Sequence, residues 1–455
     1  MNTSFFGELL QTITERGRAL LDRAGARREA VEARSESLVE LCEDLLSRRG
    51  EASGVALARE ILARYGELTT GPRIALFEAL AVRFGPNRER LAAAIAAWQR
   101  DPSEEATEEL REAAEPRRQE LFRRLNLAPR GTAELVAMRE DLLDAMARRD
   151  DLAPVDADFV HLFSSWFNRG FLVLRRIDWS TPAIVLEKII RYEAVHRIRG
   201  WEDLRRRIDP PDRRCYAFFH PALVDDPLIF VEVAFTRDIP TAIAPILTSQ
   251  REAIQPDRAT TAVFYSISNC QRGLAGVSFG HFLIKQVAEE ISREISNIST
   301  FVTLSPAPGF AEWLAHERGR EASTVIAEDD RAALASLDVQ GWWQIPATRE
   351  PVREPLTRAA AWYFLHARTK TGTPVDPVAR FHLGNGARLE QLDWLADTSS
   401  KGLSQSHGLM VNYLYDLKNI EKNHEAYAEG RAIAASSAVR RLARAAPTEV
   451  VPVAG

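Results

Sequence analysis

Three features of the chain combine residue types and spacing that could do chemistry. The first is a glycine-bearing loop, Gln271-Arg272-Gly273-Leu274-Ala275-Gly276, between an apolar run and an amphipathic pattern. Gly273 and Gly276 let a backbone approach a ligand closely and take unusual dihedrals. Unpaired N–H groups and the dipole at the start of a following helix would then favour an anion such as a pyrophosphate. Arg272 could add charge at the rim. The second is Ser305, at the end of an apolar run and before Pro306, which biases it towards extended backbone. Its hydroxyl could donate to a ligand oxygen, or it could simply fill a turn. The third is His382, in Phe381-His382-Leu383-Gly384-Asn385-Gly386. An imidazole suits proton delivery near neutral pH, although a lone histidine is often only a packed core residue.

These residues need elements to hold them. Residues 261–268 (TAVFYSIS) read as a buried strand and 301–305 (FVTLS) as another. Between them Val277, Leu283, Val287, Ile291 and Ile295 recur mostly four apart, the spacing of one helix face. The order is therefore strand, tight loop, helix, strand. Upstream, 215–220 (CYAFFH) and 228–236 (LIFVEVAFT) are further strand candidates, the second apolar enough to be buried on both faces.

The first third has another texture. Residues 1 to about 155 read as helices almost throughout, over about 29–48, 54–66, 72–84, 87–99, 103–125 and 131–149, after an initial pattern on Leu9, Leu10, Ile13, Leu20 and Leu21. Gly71-Pro72 and Gly85-Pro86 punctuate them. The expected class is α+β: an all-α helical bundle over 1–158, then an α/β domain over 159–455. The bundle either packs on the rest of the chain or joins copies of it into a homo-oligomer.

The glycine loop is neither an NTPase P-loop, which needs Lys-Ser/Thr after the glycines, nor a GxGxxG fingerprint. It resembles the Gln/Arg-x-x-Gly-x-Gly/Ala loop with which the GCN5-related acetyltransferase fold holds the pyrophosphate of coenzyme A. The longer strings are more specific. YSISNCQRGLAGVSFGHFLIKQV, FVTLSPAPGF and FHLGNGARLEQLDWLADTSSKGLSQSHGLMVNYLY resemble malonyl-CoA decarboxylases in order and wording, and RRCYAFFHPAL and DPLIFVEVAFT extend the match. The resemblance covers about 160–425.

That resemblance implies a helical N-terminal domain followed by a GCN5-related acetyltransferase-like catalytic domain. It implies that malonyl-CoA is converted to acetyl-CoA and CO2. Ser305 would bind and polarise the malonyl head and His382 would protonate C2. Gln271, Gly273, Ala275, Gly276, Val277, Ser278, Phe279, Gly280 and His281 would contact the coenzyme, with Ser305, His382 and Tyr415 also in the substrate site. No cofactor is implied, because the thioester takes up the electron pair. Two rivals remain at this level: an acyl-CoA-dependent N-acyltransferase on the same fold, and a non-catalytic acyl-CoA-sensing scaffold. Cys270, with His281 as its base, is a weaker nucleophile candidate because no third group to orient the pair is legible. Glu232, inside an apolar strand, receives no role.

Composition narrows the remaining choices. A formal charge of −5 does not suggest a nucleic-acid partner. Cys42, Cys215 and Cys270 are odd in number and far apart, which fits a reducing compartment rather than a disulfide framework. No CxxC, HxH or HExxH occurs, so no metal site is expected. No run approaches the roughly 20 apolar residues of a membrane helix, and no secretory signal opens the chain. The cytoplasm is the expected location.

Overall fold

The computed structural model describes residues 38–47, 50–277, 283–320, 323 and 325–444. The helix expected around Leu9–Leu21, and Ser278, Phe279, Gly280 and His281, lie outside the described residues. The described chain forms two compact units. One holds the residues up to Leu172 together with His220–Val224 and the loop that begins at Gln271. The other holds Val173–Phe219, Asp225–Cys270 and the remaining C-terminal part.

The first unit is helical. Asn87 and Ser103 cap Arg88–Arg100 and Glu104–Ala114 by accepting the N–H groups of Arg90 and Ala106. The single helix expected over 103–125 is two, Glu104–Ala114 and Arg117–Asn126. Pro116 is the reason: it has no N–H to continue the ladder, and it pushes Glu115 to an extended conformation. Aromatic side chains fill the centre, with Phe122 and Phe159 stacked at 4.1 Å. The Arg118–Asp158 ion pair is buried among them.

The second unit is built on an eight-stranded sheet: β1 (Val173–Ile177), β2 (Arg213–Phe219), β3 (Pro227–Thr236), β4 (Thr261–Asn269), β5 (Thr300–Thr303), β6 (Ser305–Pro306), β7 (Arg388–Asp393) and β8 (Met410–Leu414). The order is β1-β2-β3-β4-β5-β8-β6, with β7 also pairing β8. β2 and β3 are buried almost end to end, as their apolar runs predict. Helix Leu283–Glu294 connects β4 to β5 with Val287, Ala288 and Ile291 buried, and these two strands are the parallel pair. The expected sequence of strand, loop, helix and strand is therefore present, in an α+β chain. Among the described residues, no helix is long and apolar enough to cross a membrane.

One irregularity opens the sheet. β4 and β5 pair from Thr261↔Thr300 to Phe264↔Thr303, and Leu304 N–H donates to Phe264 O at 3.1 Å. There they part. β4 continues to Asn269, whereas the neighbouring chain turns into β6 and pairs with β8 through Ser305↔Val411 and Pro306↔Met410. Pro306 cannot donate to a continued ladder. The expected strand 301–305 is thus interrupted at Leu304. A cleft of about 240 Å³ lies where the strands part, lined by residues of β4, by Leu304–Pro306 and by the helix Pro377–Gly384.

Candidate active site

Ser305 reaches this cleft because the strand breaks one residue before it. Period two along the chain places Thr303 on the same side, and the Ser305 hydroxyl donates to Thr303 Oγ1 at 2.9 Å. Thr303 is itself fixed by β8: Tyr413 N–H donates to its Oγ1 at 3.2 Å and Asn412 Nδ2 to its carbonyl at 2.8 Å.

His382 comes from the last turn of the helix Pro377–Gly384. Asp376 caps that helix by accepting Ala379 N–H at 2.8 Å, and Pro377 supplies a preset φ at its first position. At the other end Asn385 N–H donates to Phe381 O and Gly386 turns the chain at φ +80°. A side chain at Gly386 would strike Ile420 O at 2.0 Å, so this turn requires glycine. The imidazole stacks on the Tyr413 ring, with centroids 4.6 Å apart and planes 25° apart.

The two residues meet. His382 Nε2 lies 3.0 Å from Ser305 Oγ, and Nδ1 lies 2.8 Å from the Tyr415 hydroxyl. Both Ser305 and His382 are buried. Burial pushes the Tyr415 phenol well above its usual range, so it keeps its proton and can donate. Burial pushes the His382 imidazole down to about 3, so near neutral pH the ring carries one proton. With Ser305 donating to Thr303, its oxygen is open to accept. One arrangement satisfies every contact: Tyr415 donates to Nδ1, Nε2–H donates to Ser305, and Ser305 donates to Thr303. A mobile proton then sits on Nε2, facing the cleft.

The rest of the lining is chiefly apolar, including Phe264, Ile267, Leu304, Val378 and Phe381. Among the described residues that line the cleft, none is charged. An anion entering it would lose water and gain only hydrogen bonds.

The loop belongs to the helical unit. It forms a short 3₁₀ turn at Arg272–Leu274, packed on the helix Gly131–Met146. At Gly273 the close approach is to the protein's own backbone: a Cβ there would lie 2.1 Å from Val136 O. Gly276 differs. Its φ is +77°, nothing lies within 4 Å of where a Cβ would be, and among the described residues its N–H has no acceptor. Arg139, only 2% exposed, ties the loop down by donating to the carbonyls of Gly273 and Ala275, both at 2.8 Å, while Asp156 balances its charge. Arg272 is engaged with Asp144, and Val277 is buried. Gln271 is half-buried.

Arg139 and Thr303 were missed by sequence reasoning. Arg139 interrupts the apolar face of Leu135, Met138 and Leu142, which is a readable sign of a buried partner. Thr303 stands two residues before Ser305. The thiol alternative has little support: Cys270 is buried, burial holds its thiol well above the usual range, and the contact it makes is to Ser268 O at 3.8 Å. Glu232 is fully buried and paired with Arg207 at 2.8 Å.

Comparison with known proteins places this geometry in context. A family model described as the malonyl-CoA decarboxylase C-terminal domain matches residues 170–452, and one described as the N-terminal domain of the same family matches 84–167. The mitochondrial malonyl-CoA decarboxylase of Anser anser anser is 35% identical over 451 residues, covering 92% of this chain and 89% of that protein. The crystal structure of malonyl-CoA decarboxylase from Rhodopseudomonas palustris is 61% identical with a TM-score of 0.86, covering 89% of this chain and 98% of that one. That from Agrobacterium vitis is 57% identical, also with a TM-score of 0.86, covering 89% and 99%.

Proposed function

Because this chain belongs to the malonyl-CoA decarboxylase family, we propose that it converts malonyl-CoA to acetyl-CoA and CO2 in the cleft at Ser305 and His382. The observation that carries the assignment of these two residues is their 3.0 Å contact inside a cleft whose described lining is uncharged.

The loop from Gln271 through Gly273, Ala275, Gly276 and Val277, with Ser278, Phe279, Gly280 and His281 beyond it, holds the coenzyme's pyrophosphate. The exposed Gly276, whose N–H has no acceptor among the described residues, supports this reading. The malonyl carboxylate enters the cleft stripped of water. Ser305 and His382 orient it out of the thioester plane. Apolar walls without a described cation leave the carboxylate poorly stabilised, while neutral CO2 is not penalised there. The C–C bond breaks, its electron pair moves to C2 and the thioester oxygen, and the Ser305 hydroxyl rotates to donate to the charge that develops. His382 then delivers its Nε2 proton to C2, giving the acetyl methyl group. Tyr415, donating into Nδ1, stabilises the charge left on the ring. The reaction takes up one proton overall, and the ring regains it from solvent after product release. The thioester is the electron sink, so the path needs no resident metal or redox cofactor.

The reading includes a cytoplasmic location, consistent with three unpaired, buried cysteines. It also includes self-association through the helical unit, which exposes Val82, Trp98 and Leu127. Malonyl-CoA incubated with the purified protein should give free acetyl-CoA and CO2 in equal amounts, with no acceptor added. Turnover that requires an amine and yields a malonylated amine would overturn the reading in favour of acyl transfer.

A further inference from the structure

The buried Arg139, Arg207 and Arg214 face the carboxylates of Asp156, Glu232 and Glu294, and half-buried Arg251 faces Asp212. Half-buried Arg368 and the exposed Arg431, Arg440 and Arg444 do not. Arg368, just past the helix Pro346–His366, and Arg431, Arg440 and Arg444, near the C-terminal end of the described chain, line a concavity of about 380 Å³. Among the described residues, none of the four has an ion pair, and no carboxylate lines the concavity.

Three of the four are held in place by groups other than acids. Arg368 donates to Leu365 O at 2.6 Å and Ala367 O at 3.0 Å. Arg440 donates to Ile433 O at 2.9 Å. The Arg431 guanidinium lies over the Tyr427 ring, 5.7 Å from its centroid. These contacts fix the guanidinium groups without neutralising them. The concentration of positive charge is felt by His366 on the same wall. Burial, then Arg368 and Arg440, hold its imidazole below the ordinary range. Between the cations lie Leu365, Ile433 and Ala443, an apolar floor on which an organic ligand could rest. A chain with a net charge of −5 has carboxylates to spare, yet among the described residues none lines this concavity.

We propose that this concavity binds a small organic polyanion, a phosphate ester or a polycarboxylate, at a site that shares no lining residue with the decarboxylation cleft. Two or more negative charges would be met by convergent guanidinium donors, and the carbon skeleton by the apolar floor.

Inorganic pyrophosphate and citrate are suitable probes for the two chemistries. Each is titrated calorimetrically at low ionic strength into the full chain, with coenzyme A saturating so that any phosphate site used by the substrate is occupied. The wild type should bind at least one of them, and which one binds assigns the ligand as phosphate or polycarboxylate. The double variant Arg431→Gln/Arg444→Gln retains the carbonyl contacts of Arg368 and Arg440 and should bind roughly tenfold or more weakly. Ala432→Glu, on the exposed rim, adds a carboxylate without removing an arginine and should abolish binding while malonyl-CoA turnover without the probe is unchanged. Absence of binding to the wild type, or unchanged affinity in both variants, overturns the proposal. Turnover of the wild type reports separately on the decarboxylase reading.

Discussion

Replacing Tyr415 with Phe tests whether the proton on His382 is held on Nε2. The change keeps the ring and removes one hydroxyl, the one 2.8 Å from Nδ1. His382 remains seated, because its stack on Tyr413 is untouched. Its Nδ1, however, becomes a buried acceptor without a donor, which costs about 1–3 kcal/mol. The tautomer with the proton on Nδ1 then becomes competitive, and it presents a bare Nε2 to the cleft. If that cost falls on the reactive form, kcat drops about 5- to 150-fold, at roughly 1.4 kcal/mol per factor of ten. KM should change little, because coenzyme binding does not depend on the tautomer. A second readout separates this role from general loosening of the fold. Burial holds the His382 pKa low; a hydrogen bond donated to the neutral ring favours the same form, so loss of the Tyr415 hydroxyl should move the acid limb of the kcat profile to higher pH. Initial rates of CO2 release from pH 3 to 8, for wild type and Tyr415→Phe, supply both numbers. An unchanged kcat with an unchanged acid limb would refute the tautomer argument.

Gly276→Val places a β-branched side chain at φ +77°, a backbone conformation costing on the order of 1–2 kcal/mol for an L-residue. The rise in melting temperature that coenzyme A gives the wild type should vanish, and a retained rise would put the phosphate site elsewhere. His382 also makes a pH prediction for stability. Its folded pKa of about 3 lies below the unfolded value near 6.5, so the unfolded chain binds the proton first and stability falls as pH drops below about 6.5. Relative to wild type, His382→Asn should therefore gain about 1 kcal/mol per pH unit below that point, measured by urea unfolding at pH 7.5 and 5. A pH-independent difference would mean that the ring is not desolvated in the fold.

Period and punctuation made much of the fold legible. The apolar runs 228–236 and 261–268 correspond to β3 and β4, and the break at Pro116 was present in the sequence for a reader who gave proline its full weight. The interruption at Leu304 was not legible, because it depends on β8 capturing Thr303 from more than a hundred residues away. The 77-residue separation of Ser305 and His382 hides their contact for the same reason. Family wording pointed to the pair, whereas periodicity could only have suggested that Thr303 accompanies Ser305 and Tyr413 accompanies Tyr415. The loop glycines looked equivalent in sequence. Only packing separates Gly273, pressed on Val136, from Gly276, which faces open space. The arginine concavity was invisible because Arg368 and Arg431 are remote in sequence and each reads alone as a solvated charge.

A double-mutant cycle of Ser305→Ala and His382→Asn, followed by CO2 release and acetyl-CoA formation at saturating malonyl-CoA, tests the roles of the two side chains most directly. Loss of the proton donor should lower kcat by about 10²–10⁴-fold. Loss of the serine donor should lower it by about 10²–10³-fold. Since the two side chains touch at 3.0 Å and serve one reaction coordinate, the double variant should be far less impaired than the product of the single effects. Near-normal turnover by His382→Asn, with Cys270→Ser inactive, would contradict the account and return the chemistry to the thiol.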